Sequence, residues 1–325
     1  MKPRRLDLDK SPQAAEHEAL GLPPLETSIT HAGPHPWRRD AWLLLGLAVL
    51  AAALIYGLGH WLLPAGWQTV ATQARSALAH DGFWLAVGVG LFAQIIDGAL
   101  GMAYGITATT FLLSTGVPPA AASASVHMAE VFTTGFSGLS HWRLGNIDKA
   151  LFKRLLIPGM TGAILGAWVI TSVDGNTIKP WISAYLLLMG LYVLSKAFRH
   201  IKKNKEAPKH IPALALTGGF VDSVGGGGWG PVVTTSLIGT GQDPRTTIGS
   251  VNSAEFFISI AGGISFAFLV GFTHWQVIAG LVIGGLFAAP FAAWLCKHLP
   301  ARTLLILVGV LITLISSFNL WKALN

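Results

Sequence analysis

DGALGMAYG, residues 97–105, decides how this chain folds, because it returns in altered form as DSVGGGGWG at 222–230. A shift of 125 positions lays Asp97 on Asp222, Gly101 on Gly226 and Gly105 on Gly230. The same shift pairs Thr109 and Thr110 with Thr234 and Thr235, Ser125 with Ser250, and Glu130 with Glu255. From 97 to 138 it gives 15 identities in 42 positions without a gap. Apolar bias alone produces chance matches of Gly, Ala and Leu. It does not produce paired Asp and paired Glu in apolar surroundings, so the chain reads as an internal duplication.

Each copy opens with two short apolar pieces, 83–97 and 103–116 in the first, 211–222 and 229–240 in the second. A helix of about 14 residues reaches about 21 Å, short of a hydrocarbon core of roughly 30 Å. Two such pieces joined by a glycine-rich tip are expected to turn back inside the membrane. Irregular backbone survives at that depth only where protein or a water-filled cavity surrounds it. Three longer runs follow in each copy: 119–141, 151–173 and 180–198, then 245–271, 275–296 and 303–322. Residues 41–63 form one more run long enough to span, and 64–80 read as an interfacial segment.

Lys and Arg set the sides, because cytoplasmic loops are rich in both. The loop 142–154 carries Arg143, Lys149, Lys153 and Arg154, and KAFRHIKKNKEAPK (196–209) is more basic still. DGNTIK (174–179) between them falls outside. In the second copy the sides exchange: the loops with Arg245 and with Lys297 and Arg302 fall inside, and uncharged FTHWQ (272–276) outside. A hairpin plus three spans crosses the membrane an odd number of times, so the copies are inverted. The expected fold is an all-α polytopic membrane protein. It has two inverted repeats, each with a re-entrant half-helix hairpin plus three spans, preceded by one extra N-terminal span. The divisions are a mobile cytoplasmic tail (1–40), the extra span with its interfacial segment (41–80), the first repeat (81–200), a basic cytoplasmic loop (201–210) and the second repeat (211–325). The N-terminus is then cytoplasmic and the C-terminus periplasmic.

Composition agrees with this reading. Of 325 residues 52% are hydrophobic and 11% charged, against about 25% charged in an average soluble domain. A soluble enzyme, a disordered chain and a disulfide scaffold are excluded; the one cysteine, Cys296, has no internal partner. The net charge of +7 does not indicate nucleic acid, because it is concentrated in 196–209, without a recognition motif. The 38 glycines suit helices that approach closely in lipid.

Chemistry is expected at the two tips. The half-helix that begins after each has unpaired first amides and the positive end of its dipole, and two such ends facing one cavity make an anion site. Candidate binding residues are Gly101, Met102, Tyr104 and Gly105 in the first tip, and Gly226, Gly227, Gly228, Trp229 and Gly230 in the second. The alternative use of these glycines is a tight bend and close packing. Four acids lie in apolar runs, Asp97, Glu130, Asp222 and Glu255, each costing about 2.5–3.5 kcal/mol at a helix centre. They must face a cavity, find a partner or carry a proton, and no Lys or Arg lies deep in these runs apart from Arg245 near an end. Either they move protons, or the Asp pair caps the following half-helices and the Glu pair anchors the tips. SVHMAE (125–130) matches SVNSAE (250–255). Ser125, His127, Ser250 and Asn252 there can donate to an oxyanion, and a His can also carry a proton near neutral pH. An intramembrane His otherwise bonds helix to helix. Gly225, Gly227 and Gly230 satisfy GxGxxG, but no βαβ unit surrounds them, so a nucleotide fold is rejected. No HxxxH or CxxC spacing marks a metal site. No nucleophile–base pair marks an enzyme.

AQIIDGALGMAYG (93–105), GGFVDSVGGGGWGP (218–231) and the SVHMAE/SVNSAE pair resemble the sulfite exporter TauE/SafE family, with the resemblance extending over 83–323. The resemblance implies a bacterial inner-membrane permease for sulfur-containing anions such as sulfite or organosulfonates. The expected function is a secondary transporter working by alternating access, with Asp97, Glu130, Asp222 and Glu255 carrying or relaying protons. The alternative is a carrier of Na⁺ or a divalent ion using the buried acids. The expected partners are a small anion and the lipid bilayer, without cofactor or nucleic acid; the sequence is compatible with a homodimer.

Overall fold

The computed structural model describes residues 12–20, 72, 75–76, 78–100, 102–198, 210–240, 242–271, 274–298 and 301–325. The expected extra span 41–63, most of the segment 64–80, the loop 201–209 and Gly101 lie outside the described residues. Among the described residues the secondary structure is helical, with no strand. The elements are α1 (Pro12–Ala19), α2 (Asp81–Leu100), α3 (Tyr104–Ser114), α4 (Pro119–Leu144), α5 (Lys149–Ser172), α6 (Gly175–Lys196) and α7 (Ile211–Gly225). A π-helical turn (Gly230–Thr234) then runs into α8 (Thr235–Gly239), followed by α9 (Pro244–Leu269), α10 (Trp275–His298) and α11 (Ala301–Leu324).

The short pieces occur where the duplication puts them, with one difference. The first arm, α2, has 20 residues and is longer than the expected 83–97, because Asp81 and Gly82 join its first turn and residues 98–100 its last. The other arms are short: 11 residues in α3 and 15 in α7. The tail also differs in part: Pro12–Ala19 is a helix packed on α11, and Leu20 after it is buried in the core. Four helices among the described residues are long and apolar enough to cross a membrane, Lys149–Ser172, Gly175–Lys196, Thr246–Leu269 and Arg302–Leu324. α4 has 26 residues, as many as α9, but His127, Glu130 and many hydroxyls lower its hydropathy. Large apolar side chains such as Trp84, Trp168, Trp181, Phe268 and Leu314 are exposed around the molecule, as a lipid-facing surface requires.

Local chemistry fixes the helix ends. Asp148 accepts the amides of Ala150 (2.8 Å) and Leu151 (3.2 Å) at the start of α5, and Asp174 those of Asn176 (3.0 Å) and Thr177 (3.2 Å) at the start of α6. Pro119 and Pro244 open α4 and α9, where a missing N–H costs nothing. Left-handed Gly145 closes α4, and the Asn146 amide returns to His141 O at 2.9 Å.

The main packing joins one copy to the other. α2 lies on α10 and α7 on α5, so the first arm of each copy rests on the second long helix of the other; α4 meets α9, and α6 meets α11. Small residues allow the two arm contacts. A Cβ at Gly90, Gly280 or Gly284 would strike the backbone across α2–α10, and one at Gly162, Gly166 or Gly219 the backbone across α5–α7.

Candidate functional site

The two tips fold as elbows and touch. Ala103 (φ 91°) turns the first, Gly226 (φ 66°) and Gly227 (φ 149°) the second. Gly105 and Gly227 face each other so closely that a Cβ on either would run into the backbone of the other elbow. The Thr109 hydroxyl donates to the Gly226 carbonyl. Tyr185 Oη, from α6, donates to the Gly227 carbonyl at 2.7 Å. Met102 packs against Gly230. The aspartates repeat one contact in both copies: Asp97 Oδ1 accepts the Tyr104 amide at 3.4 Å, and Asp222 Oδ1 the Trp229 amide at 2.9 Å. Trp229 itself is fully buried, its Nε1 donating to Val251 O at 3.2 Å.

A hollow of about 20 Å³ lies at this contact, room for about one water. Its wall comprises Asp97, Met102, Ala103, Tyr104, Gly105, Ile106, Glu130, Thr133, Thr134, Asp222, Gly228, Gly230, Pro231 and Glu255. All four acids singled out in the sequence therefore converge, from both copies. Glu130 Oε1 stands against Gly105, and its Oε2 is buried with no hydrogen bond among the described residues. No Lys or Arg is part of the wall. A larger apolar groove of about 740 Å³ lies elsewhere, between Trp142, Phe152 and Phe256, and contains none of the candidate site residues.

His127 is fully buried behind this wall. Its Nδ1 faces the Ser123 carbonyl at 2.9 Å, which fixes that nitrogen as the donor. Nε2 then faces Asp222 Oδ2 at 3.3 Å and Ser223 Oγ at 3.2 Å. Donor atoms of His127, Glu130 and Asp222 all lie within 4.8 Å of one another. No metal-ligand spacing announces this trio, because the fold assembles it from α4 and α7.

Three other candidates have different neighbours. Ser125 Oγ donates to Ala121 O of its own helix at 2.7 Å. Ser250 Oγ accepts the Asp148 amide at 2.8 Å and donates to Thr246 O at 2.7 Å, tying α9 to the start of α5. Asn252 Nδ2 donates to Ser137 Oγ at 3.0 Å, a bridge between α9 and α4. None of the three is part of the hollow's wall.

The structure adds residues that sequence reasoning missed. Thr109 was visible only as half of the Thr109/Thr234 match. Tyr185 was one phenol in an apolar run. Lys196 corrects the expectation that only Arg245 brings a cation into these runs. It sits at the end of α6 but turns inward, is buried, and brings Nζ to Met102 Sδ at 3.0 Å and Thr235 Oγ1 at 3.1 Å.

Comparison with known proteins gives a consistent set. The model of a family described as sulfite exporter TauE/SafE matches residues 86–318. A Bacillus subtilis (strain 168) protein named probable membrane transporter protein YtnM is 43% identical over 248 residues, 72% of this chain and 82% of its own length. Probable membrane transporter protein YunE of the same strain is 21% identical over 261 residues, 72% of this chain and 95% of its own. A Sinorhizobium protein named probable membrane transporter protein ORF9 is 27% identical over 141 residues, 42% of this chain and 54% of its own. No solved structure matches the chain.

Proposed function

Because this chain belongs to the sulfite exporter TauE/SafE family, we propose that it is a secondary transporter of the bacterial inner membrane. It moves a small sulfur-containing oxyanion, sulfite or an organosulfonate, by alternating access, coupled to proton movement. The observation that carries this reading is the meeting of the two elbows over a small hollow walled by four acids, of which Glu130 and Asp222 are buried. A small polar hollow between two halves suits a carrier whose halves part in turn. The amides of Tyr104 and Trp229 are held by Asp97 and Asp222, so the donors left for an anion are the neighbouring amides of Gly105, Gly228 and Gly230. His127 and Asp222 are the pair assigned to the moving proton. With Nδ1 committed to Ser123, Nε2 has two partners: it accepts the Ser223 hydroxyl when bare and donates to Asp222 Oδ2 at 3.3 Å when it holds the proton, which makes that contact a charge-assisted bond.

The test is flux of radiolabelled sulfite and methanesulfonate in proteoliposomes, with and without a pH gradient. Saturable, gradient-driven flux is expected; no flux of any oxyanion overturns the reading. One observation favours a second reading, a divalent-cation carrier: the converging donors of His127, Glu130 and Asp222 are of the types that bind such ions. Competition separates the two. Metal ions would block cation flux and leave sulfite flux unaffected, whereas sulfonates would do the reverse.

A further inference from the structure

We propose that Lys196 binds the transported anion on its way to the elbows, at a position it forms with the Thr235 hydroxyl beside Met102. This rests on the anion reading above and adds a residue and a place to it. A lysine at the end of an apolar helix ordinarily extends its stem toward the headgroups and keeps its ammonium wet. Lys196 does the opposite and is only 6% exposed. The partners that its Nζ meets are both neutral: the weakly accepting thioether of Met102 at 3.0 Å and the Thr235 hydroxyl at 3.1 Å. Among the described residues no carboxylate pairs with it. An ammonium has three protons to give, and a buried charge without a counter-charge is strongly unfavourable. An incoming oxyanion supplies both the charge and the missing acceptor.

The place supports the role. Met102 belongs to the first elbow and the wall of the hollow, and Thr235 lies six residues beyond Trp229, about 9 Å along the second half-helix. An anion held at Nζ is therefore one short step from the chamber. At the matching place in the other copy the described neighbour is neutral. Thr110, the duplication partner of Thr235, is met at its carbonyl by buried, neutral Asn319 of α11, Nδ2 donating at 3.1 Å. The cation thus marks one approach and not both. The guest it selects is a small oxyanion, with a doubly charged one favoured over a singly charged one.

The experiment compares wild type, Lys196→Met and Lys196→Gln in proteoliposomes, with sulfite and methanesulfonate as probes and thermal unfolding as the control. Met keeps the stem without charge, and Gln restores a hydrogen bond to Thr235 without charge. Both variants are expected to raise KM for sulfite by about tenfold, a loss of about 1.4 kcal/mol. KM for methanesulfonate should rise less, and the unfolding temperature should hold. A lysine that only ties Met102 to Thr235 would instead give a Gln variant with wild-type KM for both anions, which overturns the assignment. Wild-type vesicles without any oxyanion flux would sink the transport reading and this assignment together. Wild-type flux with KM unchanged in both variants sinks this assignment alone.

Discussion

Asp222 has two roles at once, and they can be separated by substitution. Its Oδ1 holds the first amide of the second half-helix and its Oδ2 faces His127. Asp222→Asn preserves the amide contact through the carboxamide oxygen but cannot share a proton with the imidazole in the same way. The variant is expected to unfold near the wild-type temperature while its flux no longer responds to a pH gradient; gradient-driven flux as strong as wild type would refute the proton assignment. Asp97 has no histidine partner among the described residues, so the thermal stability of its variants reads the amide contact. Asp97→Ala should cost about 1 kcal/mol of stability, the usual worth of a lost cap, with Asp97→Asn recovering most of it. Thermal unfolding in detergent checks both, and equal losses in the two variants would mean that the oxygen at this position does not hold the Tyr104 amide.

The elbows depend on glycine for a different reason from the helix contacts. Gly227 combines φ 149° with backbone atoms of Gly105 and Ile106 where a Cβ would be. Gly227→Ala must therefore strain its own backbone and separate the two copies. Gly88, on the same arm as Gly90, has open space around it, and Gly88→Ala should be neutral or slightly stabilising because Ala is the better helix former. A fluorescence-based thermal assay is expected to show Gly227→Ala destabilised by about 1–3 kcal/mol, the range for overpacked sites. A Gly227→Ala protein as stable as Gly88→Ala would mean that the elbows do not press together. The breaks at the two tips were legible in the sequence, because the duplication of DGALGMAYG marks both turns and singles out the acids as a set. The sequence could not show that Ser250 faces Asp148 and Asn252 faces Ser137, since the duplication aligns residues along the chain and says nothing about which copy they meet across. Lys196 was hidden for a related reason: the basic run that follows it made it look like the first residue of a loop.

Taken together, the reciprocal packing of α2 on α10 and α7 on α5 makes each copy the support of the other's elbow, so neither arm can move without its cross-copy partner. Met102 and Gly230 give a way to arrest that motion. A Cβ built on Gly230 lies 3.1 Å from Met102 Cβ, a few tenths of an ångström inside the usual disulfide range of about 3.5–4.5 Å. With Cys296→Ser as background, the pair Met102→Cys and Gly230→Cys should crosslink under mild oxidation. Flux should stop, and a reductant should restore it. Undiminished flux in fully crosslinked protein would show that the elbows need not part. The expected sidedness is tested by alkaline phosphatase fused at Asn325, which should be active only if that end faces the periplasm; an inactive fusion at full expression would reverse the assigned orientation.

The hollow between the elbows, about 20 Å³, has space for about one water. In the proposed alternating-access cycle whatever crosses waits for the walls to swing, and collective motions of that kind take from microseconds to milliseconds. That proposal bounds throughput by mechanics, with each cycle delivering a counted load. Electrical recording should find no unitary currents, and leakage in the resting state should be negligible even under a steep gradient.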